Sequence, residues 1–325
     1  MKIVFMGTPE FAAVSLRHLL GWTGGEVAAV YCQPDRPAGR GKKLQSGPVK
    51  ALALERGLPV LQPQNFKDPA ELDKLAAFGA DLIAVAAYGL ILPTALLRMP
   101  PLGVINVHGS LLPEYRGAAP IQRAVMEGRV RTGITIMRVE PKLDSGPILL
   151  QRALGIGWEQ SAGELHDELA ELGGALLVEA LERMREGRLQ ELVQDESRVT
   201  YAHKLSKADG LLDFRQSAAQ VHNQARGVTP WPGAQLNLRR QAADGAQLPP
   251  LPVLVLKGRP FAKGEEPESA TQAPGALLPL KDGMLPLLCG QGVYGIEQLR
   301  PSGGKSMDAA AFANGYLKDC RAWAE

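Results

Sequence analysis

Cysteine is scarce in this sequence, and its spacing excludes two kinds of site. The 325 residues contain three cysteines, Cys32, Cys289 and Cys320, and no Cys-x-x-Cys pair. Neither a zinc-binding motif nor a disulfide framework is therefore indicated. We expect no metal site, and free thiols fit a protein of the reducing cytoplasm.

Long apolar runs and a strong net charge are also missing. The longest apolar stretch, 82–92, is too short to span a bilayer, and the run after Met1 ends too early to form the core of a signal peptide. We therefore expect a cytoplasmic protein without membrane contact. The formal net charge is +2, so any contact with a polyanion has to come from a local patch of basic side chains.

The glycine-rich loop of a dinucleotide-binding domain is absent as well. The first apolar run is followed by residues 7–11 (GTPEF), with one glycine where Gly-x-Gly-x-x-Gly needs three. Pro9 also removes a backbone N–H that could bind phosphate. The turn can still line a pocket, and Phe11 is either a pocket residue or the first core residue of its helix.

Apolar patterning in the first half alternates between strands and helices. The strands at 82–86 and 104–107 are apolar enough to be buried on both faces, as central parallel strands are. This alternation predicts an α/β fold with a doubly wound, mostly parallel sheet. The predicted strands are 3–6, 27–31, 59–61, 82–86, 104–107 and 133–139, and the predicted helices are 11–20, 49–56, 69–78, 118–126 and 161–185.

The pattern changes after about residue 187, which predicts a second domain. Residues 191–207 are polar with little helical periodicity, as in a linker. Short apolar runs separated by proline and glycine then predict a small, OB-like β-barrel. The predicted domains are 1–189 and 208–325, joined by a linker at 190–207. The barrel runs are 234–238, 253–256, 275–278, 284–289 and 293–298, with helices at 217–226 and 307–317.

The segment 103–113 (GVINVHGSLLP) holds the first candidate catalytic residues. Asn106 and His108 end an apolar strand, and a period of two puts both side chains on the same side. An amide donor beside a titratable imidazole can stabilise an oxyanion and move a proton during acyl transfer. The alternative interpretation is a histidine whose hydrogen bonds are satisfied within a polar loop.

A carboxylate is the partner that this pair needs, and Asp144 is the candidate. It lies in Leu143-Asp144-Ser145-Gly146-Pro147, where glycine and proline indicate a tight turn after the strand 133–139. Asp144 would then also lie at the carboxyl end of a strand. The alternative is an Asx-turn residue that caps its own loop.

Residues 36–43 form a dense basic loop with four cationic side chains, Arg36, Arg40, Lys42 and Lys43. Such a loop is either a solvated surface feature or a contact for nucleic-acid phosphates. From residue 191 to the last residue there are 15 Lys and Arg against 14 Asp and Glu. Any RNA-binding surface in the second domain must therefore come from local clustering.

The segments around Asn106, His108 and Asp144 resemble the formyltransferases that use 10-formyl-tetrahydrofolate. The resemblance runs nearly end to end and is greatest to the family members that act on methionyl-tRNA. Residues 140–142 (EPK) depart from the small, flexible, glycine-containing stretch that the family often has there, which puts the mobility of that loop in question. Five further segments carry the resemblance: 7–12 (GTPEFA), 33–43 (QPDRPAGRGKK), 87–93 (AYGLILP), 115–122 (YRGAAPIQ) and 201–207 (YAHKLSK).

The resemblance implies a reaction, two partners and a set of site residues. A formyl group would move from 10-formyl-tetrahydrofolate to the α-amino group of methionyl initiator tRNA, for translation initiation, in a monomer that needs no metal. The basic loop would contact the acceptor stem of the tRNA. The implied residues are Asn106, His108 and Asp144 for catalysis; Ser110, Leu111, Leu112, Pro113, Tyr88, Gly89 and Leu90 for folate; and Phe11, Arg36, Arg40, Lys42 and Lys43 for the substrate.

Three other functions stay open on the sequence. A formyltransferase acting on another amine, such as a glycinamide ribonucleotide or an amino sugar, would share the chemistry but not need the basic loop. A formyl-tetrahydrofolate hydrolase would use similar residues with water as the acceptor. A non-catalytic RNA-binding protein would have no reason to assemble Asn106, His108 and Asp144.

Overall fold

Residues 1–38, 43–267, 272–318 and 320–325 are described by the computed structural model of the chain. Two units can be distinguished. The first comprises Met1–Pro120, Arg131–Gly155 and Glu164–His203, and the second Ile121–Val130, Ile156–Gly163 and Lys204–Glu325. The boundaries after residues 189 and 207 stay a prediction. Within the described ranges, no helix combines the length and apolar content that spanning a membrane requires.

The first half of the chain alternates strands and helices, as the apolar pattern predicts. Bounds agree with the predicted ones to within about two residues for most elements. The strands are β1 (Lys2–Gly7), β2 (Glu26–Tyr31), β3 (Arg36–Ala38), β4 (Lys43–Gln45), β5 (Val60–Leu61), β6 (Leu82–Ala86), β7 (Val104–His108), β8 (Arg116–Gly117), β9 (Arg131–Arg138), β10 (Ile148–Gly155) and β11 (Tyr201–Ala202). The helices are α1 (Glu10–Gly21), α2 (Pro48–Glu55), α3 (Pro69–Ala76), α4 (Thr94–Leu97), α5 (Pro120–Met126) and α6 (Ala162–Arg185).

The main sheet of the first unit is mostly parallel, as predicted. Among the described residues its strand order is β10-β9-β7-β6-β1-β2-β5. The five strands from β7 to β5 are parallel, whereas β9 is antiparallel to β7 and β10 is antiparallel to β9. The carboxyl ends of β1, β6 and β7 therefore lie at one edge of the sheet, where ligands bind in open α/β sheets.

Helices cover both faces of this sheet, which confirms the doubly wound fold. On one face Val4 and Val104 share a buried cluster with Leu75 of α3 and Leu96 of α4. On the other face α6 packs closely: a Cβ added at Gly173 would lie 2.9 Å from a methyl group of Val107. The central strands are buried on both faces for this reason.

Strand β10 and helix α4 were not predicted, and two further segments of the first unit differ from the prediction. The basic loop is flanked by a two-stranded ribbon, in which Arg36–Ala38 pairs with Lys43–Gln45. The polar segment contains a short 3-10 turn, Glu196–Arg198, and the strand β11, which pairs in parallel with β8. Each pairing involves only two or three residues per strand, which is too few for an apolar periodicity to indicate a strand.

The second unit contains the predicted barrel. Its strands follow one another antiparallel in the order β14-β15-β13-β12-β17, and β16 pairs with β15. The strands are β12 (Ala234–Ala242), β13 (Gln247–Pro260), β14 (Leu285–Leu288), β15 (Val293–Pro301), β16 (Met307–Asp308) and β17 (Cys320–Ala324), and the helices are α7 (Ala218–Gly227) and α8 (Ala309–Tyr316).

The apolar run 275–278 links the two edge strands of this sheet. Ala276 forms a bridge with Trp323 of β17, and Leu277 forms one with Leu287 of β14. Edge strands leave backbone groups unpaired, and closure into a barrel satisfies them. The short run that was predicted as a strand thus nearly closes the barrel, around a core that includes Phe312 of α8.

His222 of α7 is a buried histidine of the second unit. Its Nε2 donates to the carbonyl oxygen of Trp158 at 3.0 Å, and its ring lies 5.0 Å from the indole of Trp158. Burial has the largest effect on the pKa of His222 and lowers it; the hydrogen bond to Trp158 opposes this shift, and the positive charge of Arg226 adds to it. The folded protein therefore favours the neutral imidazole.

We expect the second unit to lose stability in mild acid because of His222. Above the unfolded-state pKa of about 6.5, the ring is neutral in both the folded and the unfolded protein. Between this pKa and the lower pKa of the folded state, the unfolded protein binds a proton and the folded protein does not, so the free energy of unfolding falls as the pH falls. Thermal unfolding at pH 7.5 and pH 5.5 measures this loss. His222→Gln should show a smaller loss than wild type, whereas His18→Gln, at a half-buried site of the first unit, should not. Equal losses in all three proteins would contradict the expectation.

Candidate active site

Strand β7 presents the two predicted catalytic side chains at the ligand-binding edge of the main sheet. Val104, Asn106 and His108 alternate with Ile105 and Val107 along the strand. Val107 faces α6, so Asn106 and His108 share the opposite face, as the period of two predicts. The sequence pattern alone determines this placement once the strand is recognised.

His108 is buried, and its ring has one nitrogen committed to the backbone. Nε2 lies 3.0 Å from the carbonyl oxygen of Tyr115. A carbonyl only accepts, so Nε2 carries a proton there. Nδ1 is then the nitrogen that can accept or donate a proton, and it lies 3.8 Å from Oδ2 of Asp144.

Asp144 reaches His108 through a turn and not from the end of a neighbouring parallel strand. It follows β9, but β9 is antiparallel to β7, and Arg138 at the end of β9 lies opposite Ile105 at the start of β7. The carboxyl end of β9 therefore points away from His108, so Asp144 follows the carboxyl end of a strand, as expected from the sequence, but that end and His108 lie at opposite edges of the sheet. The turn after β9 brings the carboxylate back to the ring.

Backbone contacts hold Asp144 in this position. Its Oδ2 accepts a hydrogen bond of 2.8 Å from the amide of Gly117, two residues after Tyr115 in the chain. Asp144 has a φ of 45° and Tyr115 a φ of 61°, values that non-glycine residues rarely adopt. Strained backbone of this kind is concentrated at functional sites.

The side-chain amide of Asn106 differs from His108 and Asp144 in its hydrogen bonding. It is partly exposed, and it makes no hydrogen bond to the described residues. Its neighbour across the sheet is Met137, which is apolar. The amide is therefore available to donate to an oxygen of a bound ligand.

The predicted folate turn 110–113 is held firmly by two polar side chains. Thr135 donates to Ser110 O at 2.6 Å and accepts from the amide of Leu112 at 3.1 Å, and Gln151 donates to Leu112 O at 2.8 Å. The Leu112 side chain packs against Met137 and Ile148. Ser110 and Pro113 are also buried, whereas Leu111 is partly exposed.

The predicted folate loop at Tyr88 follows β6 at the same edge of the sheet. Gln33 donates to the carbonyl oxygen of Tyr88 at 2.9 Å. Gly89 has a φ of 77°, and a Cβ there would lie 2.5 Å from Gln33 Nε2, so only glycine fits. Tyr88 is buried, and Leu90 packs beside it in the same cluster. Gln33 was not singled out in the sequence because its contact is long-range.

The structure describes only part of the basic loop. Arg36 is exposed, and its Nη2 donates to Gln33 Oε1 at 2.7 Å. Arg40 and Lys42 lie outside the described residues, as does the side chain of Lys43. Arg36 is thereby linked through Gln33 to the Tyr88 loop.

Phe11 lies away from the Asn106 and His108 side chains. Its ring is buried, stands 5.6 Å from the ring of His166 on α6, and approaches Gly173 on the face of the sheet that carries Val107. This placement matches the alternative interpretation of Phe11 as the first core residue of its helix.

Two other side-chain chemistries were considered for this unit. Within the described ranges, no group of three or more His, Cys, Asp and Glu side chains is arranged to hold a metal ion. Cys32 is buried, which raises the pKa of its thiol to about 11. The thiolate, which is the nucleophilic form, is therefore disfavoured at neutral pH.

Comparison with known families covers nearly the whole chain. A family model described as formyl transferase matches residues 1–181. A second model, described as the C-terminal domain of formyl transferase, matches residues 204–317. Residues 182–203, which include most of the polar segment, lie between the two matches.

Curated relatives are similar over almost their full length. The methionyl-tRNA formyltransferase of Nitratidesulfovibrio vulgaris (strain DP4) is 53% identical over 98% of this chain and 94% of its own length. The methionyl-tRNA formyltransferase of Methylococcus capsulatus is 44% identical over 97% of both chains. Identities of this size over whole chains indicate a common fold and a common family.

Solved structures of lower identity share the fold. An N-formyltransferase from Helicobacter canadensis, in complex with folinic acid and dTDP-3-aminofucose, is 14% identical and superposes with a TM-score of 0.63, covering 94% of this chain and all of that one. HypX from Aquifex aeolicus, in complex with tetrahydrofolic acid, is 18% identical with a TM-score of 0.57, covering 98% of this chain and 48% of HypX. The chain belongs to the formyl transferase family, and within it to the methionyl-tRNA formyltransferases.

Proposed function

We propose that this chain, as a cytoplasmic monomer, transfers the formyl group of 10-formyl-tetrahydrofolate to the α-amino group of methionyl initiator tRNA. The supporting observation is the arrangement of Asn106, His108 and Asp144. A free amide, an imidazole with one uncommitted nitrogen and a carboxylate 3.8 Å from that nitrogen are the groups that acyl transfer to an amine requires. The family membership and the full-length relatives support the identity of the substrates.

The reaction requires these groups to stabilise a negative charge on the formyl oxygen and to move protons. The α-amino nitrogen bonds to the formyl carbon while the carbonyl oxygen takes a negative charge; the bond from that carbon to N10 then breaks, N10 gains a proton and the ammonium loses one. Asn106 donates to the developing oxyanion. A preorganised donor of this kind contributes about 3–4 kcal/mol in other enzymes.

His108 also acts on the developing oxyanion, and it does so through Nδ1. Nε2 is occupied by Tyr115, so Nδ1 is the atom that donates to the oxyanion or exchanges a proton with the reacting groups. The carboxylate of Asp144 stabilises positive charge on the ring and accepts the proton released by the ammonium. General acid–base catalysis of this kind contributes about 10²- to 10⁴-fold to the rate.

The folate-binding role falls to the two loops at the same edge of the sheet. The 110–113 turn and Tyr88, Gly89 and Leu90 follow β7 and β6, which are adjacent and parallel. Backbone groups in such loops hydrogen-bond the edge of a pterin, and apolar side chains cover its faces. Leu111, which is partly exposed, is the side chain of the turn that is best placed for such contact.

The substrate-binding role falls to the basic loop, residues 36–43, whereas buried Phe11 has a supporting role. Arg36, Arg40, Lys42 and Lys43 provide cations for the phosphates of the tRNA acceptor stem. Phe11 supports the site through its packing on α6. The loop begins at Arg36, three residues after Gln33, and Gln33 contacts both Arg36 and the Tyr88 loop. Cations for the tRNA thus lie close in sequence to the residues assigned to the folate.

The proposed function is tested with two charged tRNAs. With 10-formyl-tetrahydrofolate as donor, we expect rapid formylation of initiator methionyl-tRNA and little formylation of elongator methionyl-tRNA. Acid-stable formyl-methionine released from each tRNA provides the readout. Release of tetrahydrofolate at a rate independent of both tRNAs would instead identify a hydrolase or a different acceptor.

The catalytic assignment predicts large losses of turnover without loss of binding. Asn106→Ala should lower kcat by about 10²- to 10³-fold because one oxyanion donor is lost. His108→Gln should lower it by about 10²- to 10⁴-fold. KM for both substrates should change little. The control is His18→Gln, because His18 is a half-buried histidine of the same unit that pairs with Glu171 on α6. An activity near wild type in Asn106→Ala or His108→Gln would refute the role of that residue.

Arg40 is expected to act on the tRNA alone. Arg40→Ala should raise KM for initiator methionyl-tRNA, while folate binding stays unchanged. The slope of log KM against log salt concentration should fall by up to the contribution of about one phosphate contact. Arg56→Ala provides the control, since Arg56 is exposed on the same unit and pairs with Glu55. An equal loss with a minimal aminoacyl substrate that lacks the acceptor stem would rule out the phosphate contact.

A further inference from the structure

The position of Asp144 depends on the conformation of one turn. The turn lies between β9 and β10, and Asp144 within it has a left-handed φ of 45°. A non-glycine residue keeps such a conformation only when its surroundings determine it. The carboxylate is held by Gly117, but this bond alone does not fix the main chain of the turn.

Gln194 supplies the contacts to that main chain. Its Nε2 donates to the carbonyl oxygens of Asp144 and Gly146, each at 2.8 Å. One side-chain amide thus uses both of its hydrogens to bracket the turn. Gln194 is 5% exposed, so neither hydrogen bond competes with bulk water.

Arg116 fixes the other end of the Gln194 side chain. Gln194 Oε1 accepts from Arg116 Nε at 3.1 Å and from Nη2 at 2.8 Å. The Arg116 side chain is fully buried, and Nη2 also bonds Glu196 at 2.7 Å. A guanidinium with two donors on one acceptor has little orientational freedom.

These contacts form a closed ring of hydrogen bonds around Asp144. Arg116 precedes Gly117 in the chain, and the amide of Gly117 bonds the carboxylate of Asp144. The guanidinium of Arg116 holds Gln194, whose amide bonds the carbonyl oxygen of Asp144. The same strand, β8, therefore determines both the carboxylate and the main chain of this residue.

We propose that Gln194, oriented by Arg116, is a positioning residue that sets the distance between the Asp144 carboxylate and His108 Nδ1. This proposal rests on the proposed function of Asp144. Gln194 reaches no reacting atom; it acts through the turn. Its loss frees the turn, and a catalytic group misplaced by about 1 Å can cost on the order of 10²-fold in rate.

Two substitutions separate positioning from general support of the fold. Gln194→Glu keeps an oxygen for Arg116 but cannot donate to either carbonyl in its charged form. Gln194→Met has a similar length, carries no charge and also donates to neither carbonyl. We expect both variants to lower kcat by about 10- to 100-fold, with KM for both substrates changed by less than about threefold.

A matched control lies two residues away on the same segment. Glu196→Gln weakens the ion pairs of Glu196 with Arg116 and Lys142 but leaves the contacts of Gln194 to the turn. We expect kcat of Glu196→Gln to stay within about twofold of wild type. Thermal unfolding of all variants identifies any loss that follows from unfolding.

A double-mutant cycle with Asp144→Asn gives the decisive readout. If Gln194 acts through Asp144, adding Gln194→Glu or Gln194→Met to the Asp144→Asn variant should cause little further loss. The kcat of each double variant should lie within about twofold of the kcat of Asp144→Asn alone. An equal loss on both backgrounds, or a wild-type kcat in the single variants, would overturn the positioning role. If Asp144→Asn itself keeps full activity, the catalytic assignment of Asp144 fails first, so the two failures can be told apart.

Discussion

The hydrogen bond between the Gly117 amide and the Asp144 carboxylate joins two stretches of chain that the sheet directs apart. Strands β7 and β9 are neighbours but antiparallel, so His108 and the residues after Arg138 leave the sheet at opposite edges. The bond of 2.8 Å to Gly117 retains the returning turn beside β7. The separation of 3.8 Å between His108 and Asp144 depends on it. A shift in the register of β8 would therefore displace the Asp144 carboxylate.

The polar segment before Lys204 maintains the register of β8. Its strand β11 pairs with Arg116 and Gly117, and the amide of Arg116 donates to Thr200 O at 2.9 Å. The same segment supplies Gln194 to the turn that carries Asp144. A stretch that composition describes as a linker is thus a structural part of the first unit. Polar residues suit this task because each contact satisfies a backbone group that the turn would otherwise leave unpaired.

The sequence predicts those features that depend on local periodicity. The strand containing Asn106 and His108, and the shared face of the two side chains, follow from apolar residues and a period of two. The run 275–278 was likewise recognisable as a strand-like segment, although not as the one that links β14 to β17. Strand direction is different, because antiparallel and parallel strands of a covered sheet have similar apolar patterns. The direction of β9, and with it the route of Asp144, is therefore absent from the local pattern.

Long-range contacts of polar side chains are the second feature that periodicity cannot supply. Gln33 and Gln194 each bond a backbone carbonyl about fifty residues away, at Tyr88 and Asp144 respectively. Strand β17 was missed for a related reason, since its five residues are only partly buried and show no clear alternation. Its role comes from pairing with β12 rather than from its own composition.

The described contacts that orient His108 and Asp144 are made largely with main-chain atoms. Tyr115 contributes its carbonyl oxygen, Gly117 its amide, and Gln194 bonds two carbonyls of the turn. Backbone groups keep their chemistry whatever side chain they carry, so they leave little trace in a sequence. The groups proposed to perform the chemistry are, by contrast, side chains with few substitutes: an amide, an imidazole and a carboxylate. This division explains why the chemistry of such a site is visible in the sequence while the apparatus that aligns it emerges only from the fold.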